Sequence, residues 1–204
     1  MRKLYWSLAK RVHRLGRRFA VHERLGMRWL LDNRNWIDQQ LLIGRPYETE
    51  QLAQCRALIR EHGLTRFYDI GANFGLYSML LAGESGLTGV DAFEPLPRNA
   101  DQLAANLFLN GLSGRVRLHR LALSDTAGVA RLHVDERSTG VSTLLDTPPA
   151  GTRRDYSAHL EVETRPFDAL FSQGGERVLM KIDVEGAELA VLTGMRDYLR
   201  RNRV

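Results

Sequence analysis

The sequence predicts an α/β fold, a parallel sheet flanked by helices. Short apolar runs at residues 66–70, 88–93, 115–122 and 178–183 read as strands. Helical patterns at 76–83 and 97–110 fall between them. The string Asp69-Ile-Gly-Ala-Asn-Phe-Gly75 joins the first strand to the first of those helices. Alternation of this kind builds a parallel sheet with right-handed crossovers.

The 204 residues suit one domain with a short extension, and 44% hydrophobic residues supply an ordinary core. Cys55 is the single cysteine, which excludes an internal disulfide framework and a Cys-based zinc cluster and fits a reducing, cytoplasmic compartment. No apolar run approaches the roughly 18 residues a membrane-spanning helix needs. Lys10, Arg11 and Arg14 interrupt the stretch where a signal peptide carries its apolar core.

The net charge of +5 is local. Residues 1–28 hold nine Lys/Arg against Glu23, or +8, which leaves −3 for the rest of the chain. Nucleic-acid binding across the main domain is therefore not indicated. Leu4, Leu8, Val12, Leu15 and Phe19 share one helical face, so residues 1–28 read as a basic amphipathic helix. Its apolar stripe fits the chain's own domain, an anionic membrane surface at the inner face of a membrane, or a partner.

Residues 1–44 are expected to form this N-terminal helix and a helical extension, and residues 45–204 the main domain. A short strand at 26–32 and a helix over 35–43 ending at Gly44 complete the extension. A helix over 49–62 begins at Thr49 as N-cap and stops at Gly63; Tyr47 and Glu48, just before it, are placed to close over a cofactor. Strands at 128–134 and 160–166 bracket a Gly/Pro-rich flap, so the insertion 126–167 reads as an acceptor cover. Its polar candidates are His133, Ser138, Ser142, Thr143 and His159, each as well explained as a surface residue. A helix over 187–201 closes the chain.

The glycine loop needs one Gly to turn out of the strand and another to let a ligand approach the backbone. Its D-x-G-x-x-x-G spacing is neither the dinucleotide fingerprint nor a P-loop. Asp69 repels a pyrophosphate but suits an ammonium group, held directly or through water. Glu94 ends the next strand, where an acid accepts from both hydroxyls of a ribose. Together these features describe S-adenosylmethionine better than a dinucleotide, which disfavours an NAD-dependent oxidoreductase.

These residues resemble a known family. Asp69-Ile-Gly-Ala-Asn-Phe-Gly75, Ala92-Phe-Glu-Pro95, Asn106-Leu-Phe-Leu-Asn110, Ala122-Leu-Ser-Asp125 and Lys181-Ile-Asp-Val-Glu-Gly-Ala-Glu188 are similar, in order and spacing over about residues 45–200, to FkbM methyltransferases. The resemblance implies a class I, Rossmann-like fold and a cytosolic S-adenosylmethionine-dependent O-methyltransferase acting on a hydroxyl of a sugar, glycolipid or natural product. It implies that Asp69, Gly71, Asn73 and Gly75 hold the amino-acid end of the cofactor and Glu94 its ribose. Ala122 and Leu123, through backbone groups, and Asp125 would lie near the adenine.

Lys181 and Asp183 repeat on one side of a strand, at the carboxyl end where open α/β sheets keep their ligands. Asp183 is the first candidate for catalysis, either as general base on the acceptor hydroxyl or, with Glu185, as ligand to a divalent cation. Two carboxylates are a thin ligand set, so the reading without a metal is preferred. Lys181 pairs naturally with one of these acids. A structural Lys–acid pair at a helix start accounts for the same residues.

After 187–201 a class I methyltransferase sheet adds further strands that this sequence lacks. The expectation is a sheet of four principal strands with the Asp183 strand at an exposed edge, open to a second copy of the chain. A truncated cofactor-binding protein without turnover, and a docking protein acting through residues 1–28, are the competing readings.

Overall fold

The computed structural model describes residues 17–135, 139–144 and 158–204. Its centre is a parallel four-stranded sheet in the order β5-β4-β3-β9. The strands are β3 (Arg66–Ile70), β4 (Gly89–Phe93), β5 (Val116–His119) and β9 (Val178–Ile182). Among the described strands β9 pairs with β3, in the register Asp69↔Lys181, and stands at the sheet edge as the sequence predicts, with Arg203 bridging its first residues.

Alternation along β3 sends its side chains into two cores. Phe67 packs with Val90, Ala92 and Val116 beneath α2 (Thr49–His62), α3 (Leu76–Leu81) and α4 (Pro97–Leu109). Tyr68 and Ile70 face the opposite side, with Phe93 and Val178, under α5 (Phe167–Leu170), α6 (Glu188–Gly194) and α7 (Arg196–Arg201). There the Tyr68 ring meets Phe167, Phe171 and Tyr198 edge-on at centroid separations of 4.9, 5.1 and 5.9 Å. Each such buried ring contributes roughly 1.5–3 kcal/mol through removal from water.

The insertion builds a second sheet in the order β6-β8-β7, from β6 (Ala122–Leu123), β7 (Gly128–Val134) and β8 (Ala158–Arg165). The single strand expected over 115–122 is thus two. The β4–β5 ladder ends at the Glu94 amide to His119 carbonyl bond, and Ala122 then pairs with Thr164 of β8. The helix expected over 187–201 is also two, broken at Met195. At the break Gly194 lies against Ser124, whose carbonyl would be 2.0 Å from an added Cβ.

The amphipathic helix expected over residues 1–28 does not extend into the described residues. Residues Phe19–Arg24 (β1) and Met27–Asp32 (β2) form an antiparallel hairpin, and residues 1–16 lie outside the described residues. The two-residue turn Leu25–Gly26, at φ 53° and 73°, supplies the left-handed pair that matches strand twist. The hairpin also spends part of the basic charge: Arg18 pairs with Asp32, and Arg24 donates to the Leu42 carbonyl. Helix α1 (Trp36–Leu42) follows, with Asn35 capping the Ile37 amide. Trp29, Leu31, Leu41 and Leu42 join the Phe67 core, so residues 27–44 are built into the main domain rather than appended to it.

Helix α4 fastens the hairpin with a row of amides. Gln102 donates to the Leu30 carbonyl, Asn106 accepts from the Leu30 amide, and Asn110 both accepts from the Arg28 amide and donates to its carbonyl. Asn106 also donates to the Phe74 carbonyl, tying this ladder to the glycine loop.

Candidate functional site

Strands β3, β4 and β9 end together, and a cleft opens above their carboxyl ends. Gly71, Ala72 and Asn73 of the glycine loop line it, with Glu94, Ala122, Leu123, Lys181 and Asp183. All but Ala72 are sequence-predicted site residues, drawn from four separate segments into one cleft. Tyr47 and Glu48 also line it, as their position ahead of α2 suggests.

Gly71 makes the loop possible. Its φ of 78° favours glycine, and an added Cβ would lie 2.0 Å from the Asp183 carbonyl oxygen. The Gly71 and Ala72 amides both donate to the Phe93 carbonyl, pinning the loop to the end of β4. Gly75, at φ 95°, caps α3 and does not line the cleft; an added Cβ there would strike Leu103. Its requirement for glycine comes from that φ and from packing against α4.

Asp69 departs from the sequence reading too. It is 0% exposed and does not line the cleft. Its Oδ2 accepts from the Ser78 amide and hydroxyl, at 3.0 and 2.7 Å, and Lys181 Nζ lies 3.5 Å from Oδ1. The acid that opens the motif thus braces the loop from below, beneath the cleft rather than on its wall.

Lys181 is the hub of the β9 side. Nζ donates to the Gly71 carbonyl at 2.8 Å, stands 3.5 Å from both Asp69 and Asp183, and lies over the Tyr77 ring at 5.4 Å. Burial pulls its pKa down, but Asp69, Asp183 and Glu48 outweigh burial and hold it above the usual lysine value. Asp183 is 57% exposed at the side chain and faces the cleft. Glu185, at φ 51°, does not line the cleft; its carbonyl accepts from the Thr143 hydroxyl at 2.7 Å. Glu188 closes the turn by accepting from the Val184 and Gly186 amides.

Glu94 is buried on the other side. Oε2 accepts from the Asn73 amide at 2.7 Å and Oε1 from the Leu96 amide at 3.0 Å, with Asn99 Nδ2 at 3.5 Å. Burial pushes its carboxyl up to about 7, against the lowering effect of those amides and of Lys181. Oε2 keeps a second lone-pair direction, while Oε1 is shared between Leu96 and Asn99. Beyond Glu94 the wall turns apolar, with Leu121, Leu132 and Leu144 beside Ala122 and Leu123. Asp125 lies outside this wall, exposed, accepting from the Ser124 and Thr126 hydroxyls.

The described part of the flap roofs the cleft. Thr139, Gly140, Ser142 and Leu144 line it. The Thr139 hydroxyl accepts from Asn35 Nδ2 at 2.6 Å, and an added Cβ on Gly140 would lie 2.7 Å from Asn73 Nδ2. Of the polar flap candidates Ser142 lines the cleft; Thr143 bridges to His133 in the strand and to Glu185. His159 faces His133 across the β7–β8 pair, and Ser138 lies outside the described residues. Sequence reasoning missed Ile37 and Tyr77 on the wall, because both read as ordinary apolar helix positions. Among the described residues no three His, Cys, Asp or Glu side chains gather as a metal-holding group, and no helix is long and apolar enough to cross a membrane.

Sheet order, glycine loop, acid after β4 and carboxyl-end cleft define a class I methyltransferase fold. The Methyltransferase FkbM domain matches residues 69–204, and the chain belongs to the FkbM methyltransferase family. It is 32% identical over 152 residues to methyltransferase sdnD of Sordaria araneosa, covering 62% of this chain and 59% of that protein. It is 31% identical over 157 residues to the 31-O-demethyl-FK506 methyltransferase FkbM of Streptomyces tacrolimicus, covering 64% of this chain and 59% of that one. The chain therefore spans about three fifths of the length of these relatives. A crystal structure of methyltransferase FkbM from Methylobacillus flagellatus KT aligns with a TM-score of 0.44 at 19% identity, over 66% of this chain and 29% of that one.

Proposed function

We propose that the chain binds S-adenosylmethionine in this cleft and transfers its methyl group to an acceptor hydroxyl. The observation that carries the reading is the cleft itself. One wall joins the Gly71–Asn73 backbone, the Glu94 carboxylate and Asp183, with acids outnumbering the single Lys181. Such a wall suits a cationic cofactor.

The residues fit the group. Glu94 Oε2 has a lone pair left for a ribose hydroxyl, and a second hydroxyl would replace the 3.5 Å contact of Asn99 with Oε1; the leucines beside Ala122 and Leu123 give an adenine an apolar berth with backbone groups at its edge. Gly71 and Asn73 face the amino-acid end. Asp125, away from the wall, is left to the rim. S-adenosylmethionine supplies an electrophilic methyl on a sulfonium.

Asp183 is exposed to the cleft and stands 3.5 Å from Lys181. In this reading it takes the proton of the acceptor hydroxyl as general base while Lys181 orients it. Lys181 also fixes the Gly71 carbonyl, so loop and base are set by one ammonium. The Thr139–Leu144 roof excludes water from the reacting pair.

The acceptor hydroxyl belongs to a sugar, glycolipid or natural product. The name of the 31-O-demethyl-FK506 relative, with methyl transfer to an oxygen, supports that class. Contact of the basic residues 1–28 with an anionic membrane face, and a second copy along β9, go with the same proposal.

Calorimetric titration with S-adenosylmethionine and its demethylated product, S-adenosylhomocysteine, tests the reading. Binding that disappears in Glu94→Ala is the expected result. A folded, monodisperse sample that binds neither compound overturns it.

A further inference from the structure

Removing Asp69 from the cleft leaves a question of charge. The cofactor's amino-acid end carries an ammonium, and the acid expected to meet it is sealed beneath the loop. Another carboxylate stands at that end. Glu48 lines the cleft with Gly71, Lys181 and Asp183.

Three features set Glu48 apart. Its backbone is left-handed, at φ 52°, which is costly for a residue with a Cβ. Of the four non-glycine residues at positive φ among the described residues, Glu48 and Asn73 line the cleft and Glu185 anchors its roof. Strained backbone thus gathers at the site. Second, two tyrosines converge on the Glu48 carboxylate. Burial and the neighbouring Glu48 carboxylate raise the Tyr47 and Tyr77 hydroxyls above the usual tyrosine value, so both stay protonated and able to donate to it. Tyr47 is braced edge-on by Trp36 at 6.1 Å. Third, the other face of this group meets Lys181, whose ammonium lies over the Tyr77 ring and holds the Gly71 carbonyl. Glu48 is therefore tied through Tyr77 to the glycine-loop end of the cleft, away from the Leu121–Leu132 end.

A carboxylate offers about four lone-pair directions, and two tyrosine donors would fill only half of them. An ammonium brings three donors and a full charge. Asp183, the exposed acid at this end, already faces Lys181 at 3.5 Å.

We propose that Glu48 receives the ammonium of the cofactor's amino-acid moiety, with Tyr47 and Tyr77 as the positioning residues that aim its carboxylate. The inference rests on the S-adenosylmethionine reading above.

The test separates the two ends of the ligand. The full chain and its Glu48→Gln variant are titrated with S-adenosylhomocysteine and with 5′-methylthioadenosine, which keeps the nucleoside and lacks the amino acid. Glu48→Gln is expected to weaken S-adenosylhomocysteine by about tenfold or more, the range of a hydrogen bond to a charged group, and to leave 5′-methylthioadenosine unchanged. Tyr77→Phe is expected to shift the first ligand by a smaller factor and not the second. Equal affinity of wild type and Glu48→Gln for S-adenosylhomocysteine, or equal weakening of both ligands, overturns the assignment of Glu48 alone. Failure of the wild-type chain to bind either ligand overturns the cofactor reading and this assignment with it.

Discussion

Gly71 presses its α-carbon against the Asp183 carbonyl, leaving a Cβ only 2.0 Å from that oxygen. The first residue of the glycine loop and the proposed base are thus seated on one another through backbone, with no side chain between. Gly71→Ala must displace one of the two and also holds φ at 78°, where an alanine is strained. The expected loss is about 2 kcal/mol or more, a fall in Tm of roughly 4–8 °C for a chain of this size, read by thermal melting. An unchanged Tm would refute this packing.

Asp183→Asn is expected to keep the fold and the cofactor site, because the carbonyl against Gly71 is retained. Methyl transfer is expected to fall about 100-fold or more, within the range of general-base catalysis, with S-adenosylmethionine affinity within about twofold of wild type. Labelled-methyl transfer and calorimetry read the two effects separately. Full turnover in Asp183→Asn would remove it as the base.

Burial pushes the Glu94 carboxyl up to about 7, and ribose hydroxyls are best accepted by its ionised form. Affinity for S-adenosylhomocysteine is therefore expected to rise with pH, by up to about tenfold per unit below the pKa, and to level off above it. Calorimetry across pH 6–8 (roughly one unit either side) reads the slope. Glu94→Gln is expected to abolish it.

Asp38 gives an opposite dependence, in stability. Burial raises its carboxyl from 3.8 to about 7, although the Asp32 amide and Gln102 side chain donate to it. Between those values the folded chain keeps a proton that the unfolded chain has released. Stability contributed by this group therefore declines as pH rises from about 4 to about 7, by at most about 4 kcal/mol, and is flat above. Denaturant midpoints of Asp38→Asn are expected to lose that part of the decline.

Ser78 satisfies Asp69 Oδ2 through both its amide and its hydroxyl. Ser78→Ala is expected to cost about 1–3 kcal/mol, the range for a buried polar group losing a partner. Guanidinium unfolding reads it, and a neutral result would mean that water replaces the hydroxyl.

Much of this site was legible because its chemistry sits at strand ends. Alternating strands and helices put Gly71, Asn73, Glu94, Lys181 and Asp183 at one edge of one sheet, and spacing alone is enough to find such an edge. Asp69 and Gly75, expected at the cofactor, lie behind the cleft wall. Their requirement is set by Ser78, Lys181 and Leu103, contacts that the fold brings together and that local sequence does not announce. The hairpin was hidden for a related reason. Phe19 completes a helical stripe with Leu15 and Val12 by spacing, yet the left-handed Leu25–Gly26 turn and the amides of α4 take the segment as strand. The Asn106–Asn110 string, quoted as a family signature, proves to be that fastening.

The same fastening shapes how the molecule opens. The amides of Arg28 and Leu30 are held by the side chains of Asn110 and Asn106, not by a neighbouring strand. Their exchange with solvent deuterium is thereby slaved to the breathing of a helix. Because Asn106 also grips the Phe74 carbonyl, a fluctuation that frays α4 would release the outer edge of the hairpin and slacken the glycine loop in one event. Protection factors at Arg28, Leu30 and the loop should rise and fall together, as one cooperative unit spanning segments remote in sequence.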